Sequence, residues 1–347
     1  MSRRRSPMKI KLKQKTKTIL KLKLKLELKQ KTKLIQKQKM ILKMKKIVIA
    51  SLIIASTSLA FSCKNSGNNN QNPENKENTQ PVEEAFVLPQ VDDVCSKMDD
   101  PSFIDLCKKN FDTNQDGKVS MEEAGAVTEL VFDSPLASEE SESRWEYDEP
   151  LKSLKGLEYF PNLEILVLEY HQVTSLDISH NPMLKQLYCS SNKIGTLDVS
   201  KNTHLKELIC SSCGLTALDV TKNTELYNLQ CSDNQIPSLD VTNCTRLTDL
   251  AFSTNQIASI DVSKCTGLNN LYCVNNQLTS LDVSSLPELV TLNCEGNQLT
   301  SLDVSKNPKL EWLMCDRNQL TKVDLTNNPK ISLAMADEGV ELIGYKK

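Results

Sequence analysis

From Leu176 to Lys322 apolar and polar positions recur every 21 residues, seven times in succession, in the pattern LDVSxNxxLxxLxCxxNxLTS. Two stretches of each unit alternate. In LKQLYC, Leu184 to Cys189, the side chains of Leu187 and Cys189 face one way, and in LDV, Leu197 to Val199, the two outer residues do the same. Period-two alternation predicts short strands, two per coil, stacked in parallel at ~4.8 Å from coil to coil. A unit this short cannot bury its own apolar stripe, so neighbours must stack into a continuous solenoid core. A divergent unit, Leu154 to Ser175, precedes the regular ones, and the array is expected over 154–347.

The same register sorts the chemistry into columns. Cys189, Cys210, Cys231, Cys273, Cys294 and Cys315 share one position with Leu168, Phe252 and Ala336. Those companions mark an inward apolar slot, where a thiol packs as a small hydrophobe. Asn192, Asn234, Asn255, Asn276, Asn297 and Asn318 form a second column, in which Cys213 and His171 replace the asparagine. A third holds Asn181, Asn202, Asn223, Asn307 and Asn328, with Cys244 and Cys265 as substitutes that either pair or remain structural thiols. Buried asparagines of this kind are expected to satisfy turn backbone groups. An unbroken column runs Asp177, Asp198, Asp219, Asp240, Asp261, Asp282, Asp303 and Asp324, each followed two residues later by Ser or Thr. Like charges at strand spacing need donors or a shared cation, and local bonding to the following residues is the simpler of the two. Outward positions vary from unit to unit, and Tyr188, Tyr272, Trp312 and Met314 are the candidate ligand contacts among them.

Ahead of the array, Asp112 to Glu123 reads DTNQDGKVSMEE and fits the EF-hand loop pattern. Calcium takes six to eight oxygens. The loop offers Asp112, Asn114, Asp116, the Lys118 carbonyl, Ser120 and a bidentate Glu123, with Gly117 at the sharp turn. Flanking helices are expected from about Pro101 to Phe111 and from Met121 to Phe132, with another from about Val91. This element, 89–135, is placed to cap the open N-terminal end of the solenoid, joined to it by a linker at 136–153. Cys95 and Cys107 lie in the two helices before the loop, where an oxidising compartment would favour a disulfide.

The N-terminus points to that compartment. Residues 44–62 carry two lysines, an apolar run too short to span a bilayer and small residues, directly before Cys63. The layout resembles a bacterial lipoprotein signal, which implies that Cys63 is acylated and becomes the mature N-terminus. Residues 1–43 alternate Lys with Leu and polar residues and read as a mis-assigned start, while 63–88 is an Asn-, Pro- and Glu-rich tether. Residues 1–62 hold 19 of the 42 basic residues and one of the 44 acidic ones, so the remainder carries 23 positive against 43 negative side chains, a net charge of −20. Such a field disfavours nucleic acid and suits divalent cations or basic ligands.

The repeat, as in LKELICSSCGLTALDVTKNT from Leu205 to Thr224, resembles the 21-residue bacterial leucine-rich repeat of IRREKO type. With the lipoprotein signal and the EF-hand it resembles a group of cell-surface leucine-rich-repeat lipoproteins. That resemblance implies a leucine-rich-repeat solenoid of short parallel β-strands with a small helical EF-hand cap, anchored through lipid in the outer membrane. It also implies a concave face that binds a protein or polysaccharide. An envelope spacer without a ligand is the alternative, and a surface hydrolase the third. Against the last, His171, His180 and His204 converge with no nucleophile or metal-ligand set.

Overall fold

The computed structural model describes residues 88–132 and 150–345. The expected leader, signal peptide, acyl acceptor Cys63 and nearly all of the tether lie outside those residues, as does 133–149. After a 3-10 turn at Val94–Lys97 come α1 (Pro101–Phe111) and α2 (Met121–Gly125), then β1 (Glu129–Val131) and a 3-10 turn at Leu157–Tyr159. Each subsequent coil contributes one three-residue strand: β2 (Ile165–Val167), β3 (Gln186–Tyr188), β4 (Glu207–Ile209), β5 (Asn228–Gln230) and β6 (Asp249–Ala251). β7 (Asn270–Tyr272), β8 (Thr291–Asn293), β9 (Trp312–Met314), β10 (Lys322–Asp324), β11 (Leu333–Met335) and β12 (Glu341–Ile343) follow. β1 to β9 and β11 form one parallel ten-stranded sheet in chain order. From β2 to β9 registers step by 21 residues, as in Leu187 opposite Leu208 and Leu208 opposite Leu229.

The central leucine of each strand from β2 to β9 points inward and is fully buried, so one residue per strand closes the core from the sheet side. The LDV stretches close it from the other side, Leu197 and Val199 being buried likewise. They do not form the second strand that alternation predicts. The Asp198 carboxylate accepts the Ser200 N–H at 2.8 Å, and the Val199 carbonyl accepts from Asn202 N at 3.0 Å. These local turns engage the backbone groups that a second ladder would need. Among the described residues only β10 and β12 pair on that side.

The N-terminal helices share the core of the array. Phe103 of α1 stacks against Phe132 and Phe160 with ring centroids 5.7 and 5.9 Å apart. Asp100 caps α1 through one oxygen, accepting from Ser102 N at 2.9 Å, and its other oxygen accepts from Lys152 N at 2.7 Å in the first coil. One carboxylate thus ties helix to solenoid. The helix expected from Val91 is a single 3-10 turn, and α2 ends at Gly125 instead of reaching Phe132. β-branched Val127, Thr128 and Val131 favour extension there. The Thr128 carbonyl accepts from Glu164 N at 2.7 Å, which delivers β1 to the sheet as its first strand.

Candidate functional site

The inward columns form ladders. Asn234 donates through Nδ2 to the carbonyls of Cys210 and Cys231 at 3.0 and 2.9 Å, and its Oδ1 accepts from Cys213 N and Leu215 N. Asn192, Asn255, Asn276, Asn297 and Asn318 repeat the pattern of donors. The other column behaves differently. Asn181, Asn202, Asn223, Asn307 and Asn328 donate across to preceding coils, but every one of their Oδ1 atoms is buried without a partner. An asparagine with only its donor used is replaceable, and Cys244, Cys265 and Leu286 occupy the same position. The Cys244 and Cys265 thiols are unpaired and donate weakly to the same class of carbonyl.

All cysteines of the apolar column are buried and free. Burial pushes the thiols of Cys231, Cys273 and Cys315 up to about 12, which keeps them protonated and unreactive. Cys95 and Cys107 are also free and buried, not joined in the expected disulfide, with the Cys107 thiol donating to the sulfur of Cys95. In the acidic column every Asp Oδ1 accepts the N–H of the residue two positions on, as between Asp240 and Thr242 at 2.9 Å, and the hydroxyls of those residues, then these amides, hold carboxyls such as Asp240 and Asp261 below their ordinary value. The local explanation accounts for the column without a cation.

In the EF-hand-like loop, Asp112 Oδ2 accepts from Gly117 N at 2.8 Å, Asn114 Oδ1 from Asp116 N at 2.9 Å and Asp116 Oδ1 from Lys118 N at 2.9 Å. Gly117 has φ +85°, a conformation suited to its missing Cβ. Glu123 clamps the two ends of the loop. Its Oε1 accepts from Thr113 N and Oγ1 at 2.8 and 2.6 Å, and its Oε2 from Ser120 N and Oγ at 2.9 Å. The Thr113 hydroxyl, then Ser120, pull the Glu123 carboxyl down to about 2. The donor set, all oxygen, fits calcium. Among the described residues no three His, Cys, Asp or Glu side chains gather around one point, and ion binding here would require Glu123 to exchange its N–H and O–H donors for the cation.

The outward face of the sheet is where side chains change from coil to coil. Tyr188, Tyr272 and Trp312 are partly exposed there, whereas Met314 is 6% exposed and packs into the face. A hydrogen-bond network crosses β3 to β7. Its centre is Glu207, only 4% exposed, which accepts from Gln186 Nε2 at 2.7 Å, from Asn228 Nδ2 at 3.3 Å and from the Tyr227 hydroxyl. Asp249 accepts from Asn270 Nδ2 at 2.7 Å and from Thr248 Oγ1 at 2.8 Å. Burial and the Glu207 carboxylate push the Tyr188 and Tyr227 phenols up, so both remain neutral donors. Variability alone did not single out Glu207 or Tyr227. The available signal was Gln186, Glu207 and Asn228 in successive units of one column.

The sequence model for Leucine Rich repeats (2 copies) matches residues 266–307. Among solved structures, the functional domain of InlJ from Listeria monocytogenes, which includes a cysteine ladder, is 33% identical with a TM-score of 0.59 over 66% of this chain and 48% of that one. The array is a leucine-rich-repeat solenoid. A leucine-rich-repeat protein of Leptospira interrogans shares the fold at 23% identity and a TM-score of 0.55, over 63% of this chain and 57% of that chain. An internalin C2 of Listeria monocytogenes does so at 17% and 0.52, over 73% and 99%. This chain spans about half the length of the InlJ structure it matches. No curated protein matches in sequence. The buried cysteine column of this leucine-rich-repeat array stacks thiols in adjacent coils, as in Cys189, Cys210 and Cys231.

Proposed function

We propose that this chain is a lipid-anchored binding protein of the bacterial cell envelope, which presents the outward face of its sheet to a protein or polysaccharide ligand. One observation carries the reading. Strands of fixed geometry, held by recurring leucines, cysteines and asparagines, display side chains that differ at every coil, with Tyr188, Tyr272 and Trp312 partly exposed among them. Rigid display of variable aromatics suits recognition, and solenoids with such surfaces serve as interaction modules. Catalysis has no part in this reading, and the anchor is Cys63 in the outer membrane. Calcium at Asp112, Asn114, Asp116, Lys118, Ser120 and Glu123 would stabilise the N-terminal end.

A ligand-array screen of proteins and glycans with the purified protein tests the reading. Trp312→Ala and Tyr272→Ala should weaken whatever ligand is found with little change in melting. Unchanged affinity in both would move the site off this face and favour the envelope spacer. Mass spectrometry of the native protein tests the anchor separately, since acylation at Cys63 leaves no peptide from Lys9 to Lys43.

A further inference from the structure

Glu207 and Asp249 occupy outward positions of β4 and β6, two coils apart, and their hydrogen-bond partners on the face are neutral: amides of Gln186, Asn228 and Asn270, hydroxyls of Tyr188, Tyr227 and Thr248. None of the outward positions from β2 to β9 and at β11 is Lys, Arg or His. The nearby Lys185 is turned to Glu164 at 2.7 Å. A carboxylate withdrawn from water without a countercharge is held at a cost, which hydrogen bonds from neutral donors offset only in part. A cation arriving on the face would meet two such charges already oriented.

Aromatic rings stand beside both. The Tyr188 and Tyr227 phenols bond to Glu207, and the charge of Asp249 contributes to raising the Tyr227 and Tyr272 phenols. A carboxylate among tyrosine side chains is a setting that favours Lys or Arg, by charge and by contact of their apolar stems with the rings. Beside them Glu169 is half-buried, its carboxyl raised by that burial.

Spacing narrows the ligand further. Two coils separate the carboxylates by ~9–10 Å, and an extended segment of polyproline-II type advances ~3.1 Å per residue with three residues per turn, so its side chains at i and i+3 lie on one face ~9.3 Å apart and match the pair. We propose that the sheet face binds a basic polypeptide segment lying across the strands, with Glu207 and Asp249 receiving cationic side chains three residues apart. This rests on the reading of the sheet face as the binding surface and specifies the ligand class it accepts.

The probe is a fluorescein-labelled peptide of repeated Lys-Ala-Ala, followed by fluorescence anisotropy at low and physiological salt. Glu207→Gln with Asp249→Asn should weaken binding roughly tenfold or more, whereas Asp219→Asn with Asp240→Asn, which removes equal charge from the acidic column outside the sheet, should leave it within twofold. Asp249→Asn alone, at a less enclosed position, should lose part of the affinity and covers the case in which Glu207→Gln unfolds. Equal losses in the two pairs, no loss in the sheet pair or no binding by the intact protein would each overturn the proposal. A neutral oligosaccharide that binds and is lost in Tyr272→Ala would overturn it too, while leaving the binding-surface reading intact.

Discussion

The Cys213 thiol donates to the carbonyl of Cys189 at 3.1 Å, in the place where the adjoining coils use the amides of Asn192 and Asn234. The replacement is incomplete. An asparagine at this position also accepts, as Asn234 does from Leu215 N at 2.9 Å, but a thiol leaves the equivalent amide of Ile194 without that acceptor. Cys213→Asn should therefore raise stability by about 1 kcal/mol, measured by urea unfolding. A decrease would mean that the local turn, in which Gly195 N bonds to Cys213 O at 3.0 Å, has no room for the amide.

Leu187 lies at the centre of β3 with no exposed surface. Leu187→Ala should cost about 2 to 5 kcal/mol through the cavity it opens, because flanking coils are fixed by their own ladders and collapse little. Chemical denaturation gives the number. A loss below about 1 kcal/mol would show that the coils repack.

Acid should destabilise the array through the aspartate column. Asp219, Asp240, Asp261 and Asp282 have folded-state values below the ordinary 3.8. With the folded value depressed, the unfolded chain binds more protons between the two, so this stability is present above the ordinary value and is lost as pH falls through the folded one. Melting temperature should drop as pH falls below about 4, and Asp240→Asn with Asp261→Asn should make that slope shallower. An identical slope in the variant would remove the column as a cause.

Calcium should raise the melting temperature of the intact protein, and chelation should lower it while the coils stay folded, as circular dichroism would report. Glu123 remains an anion at neutral pH, because its hydroxyl and amide partners pull it down to about 2. Full calcium-dependent stabilisation in Glu123→Gln would dismiss the loop as the seat of the ion.

The solenoid was legible because every coil sees the same neighbours, so one column of leucine or asparagine states its own environment many times over. Alternation was less informative at Leu197 to Val199. Inward pairs occur equally in a strand and in an extended stretch whose backbone is bonded locally, and the Asp198 carboxylate decides between them. The helix expected to Phe132 failed for a non-local reason, since Thr128 is claimed by Glu164 of the first coil. Glu207 escaped notice because its partners sit in other coils, Gln186 one before and Tyr227 one after.

Inter-coil hydrogen bonds of the asparagine ladders connect residues 19, 21 or 24 positions apart, as in Asn255 with Ile236, Asn223 with Asn202 and Asn276 with Phe252. No such bond reaches past the adjoining coil. Excising or duplicating one 21-residue stretch would regenerate the ladder contacts at the splice, so the number of coils is a free variable that unequal recombination can change without rebuilding the ladders. Reach across a ligand would then lengthen in steps of ~4.8 Å, while the chemistry of each step is rewritten at only two outward residues per strand.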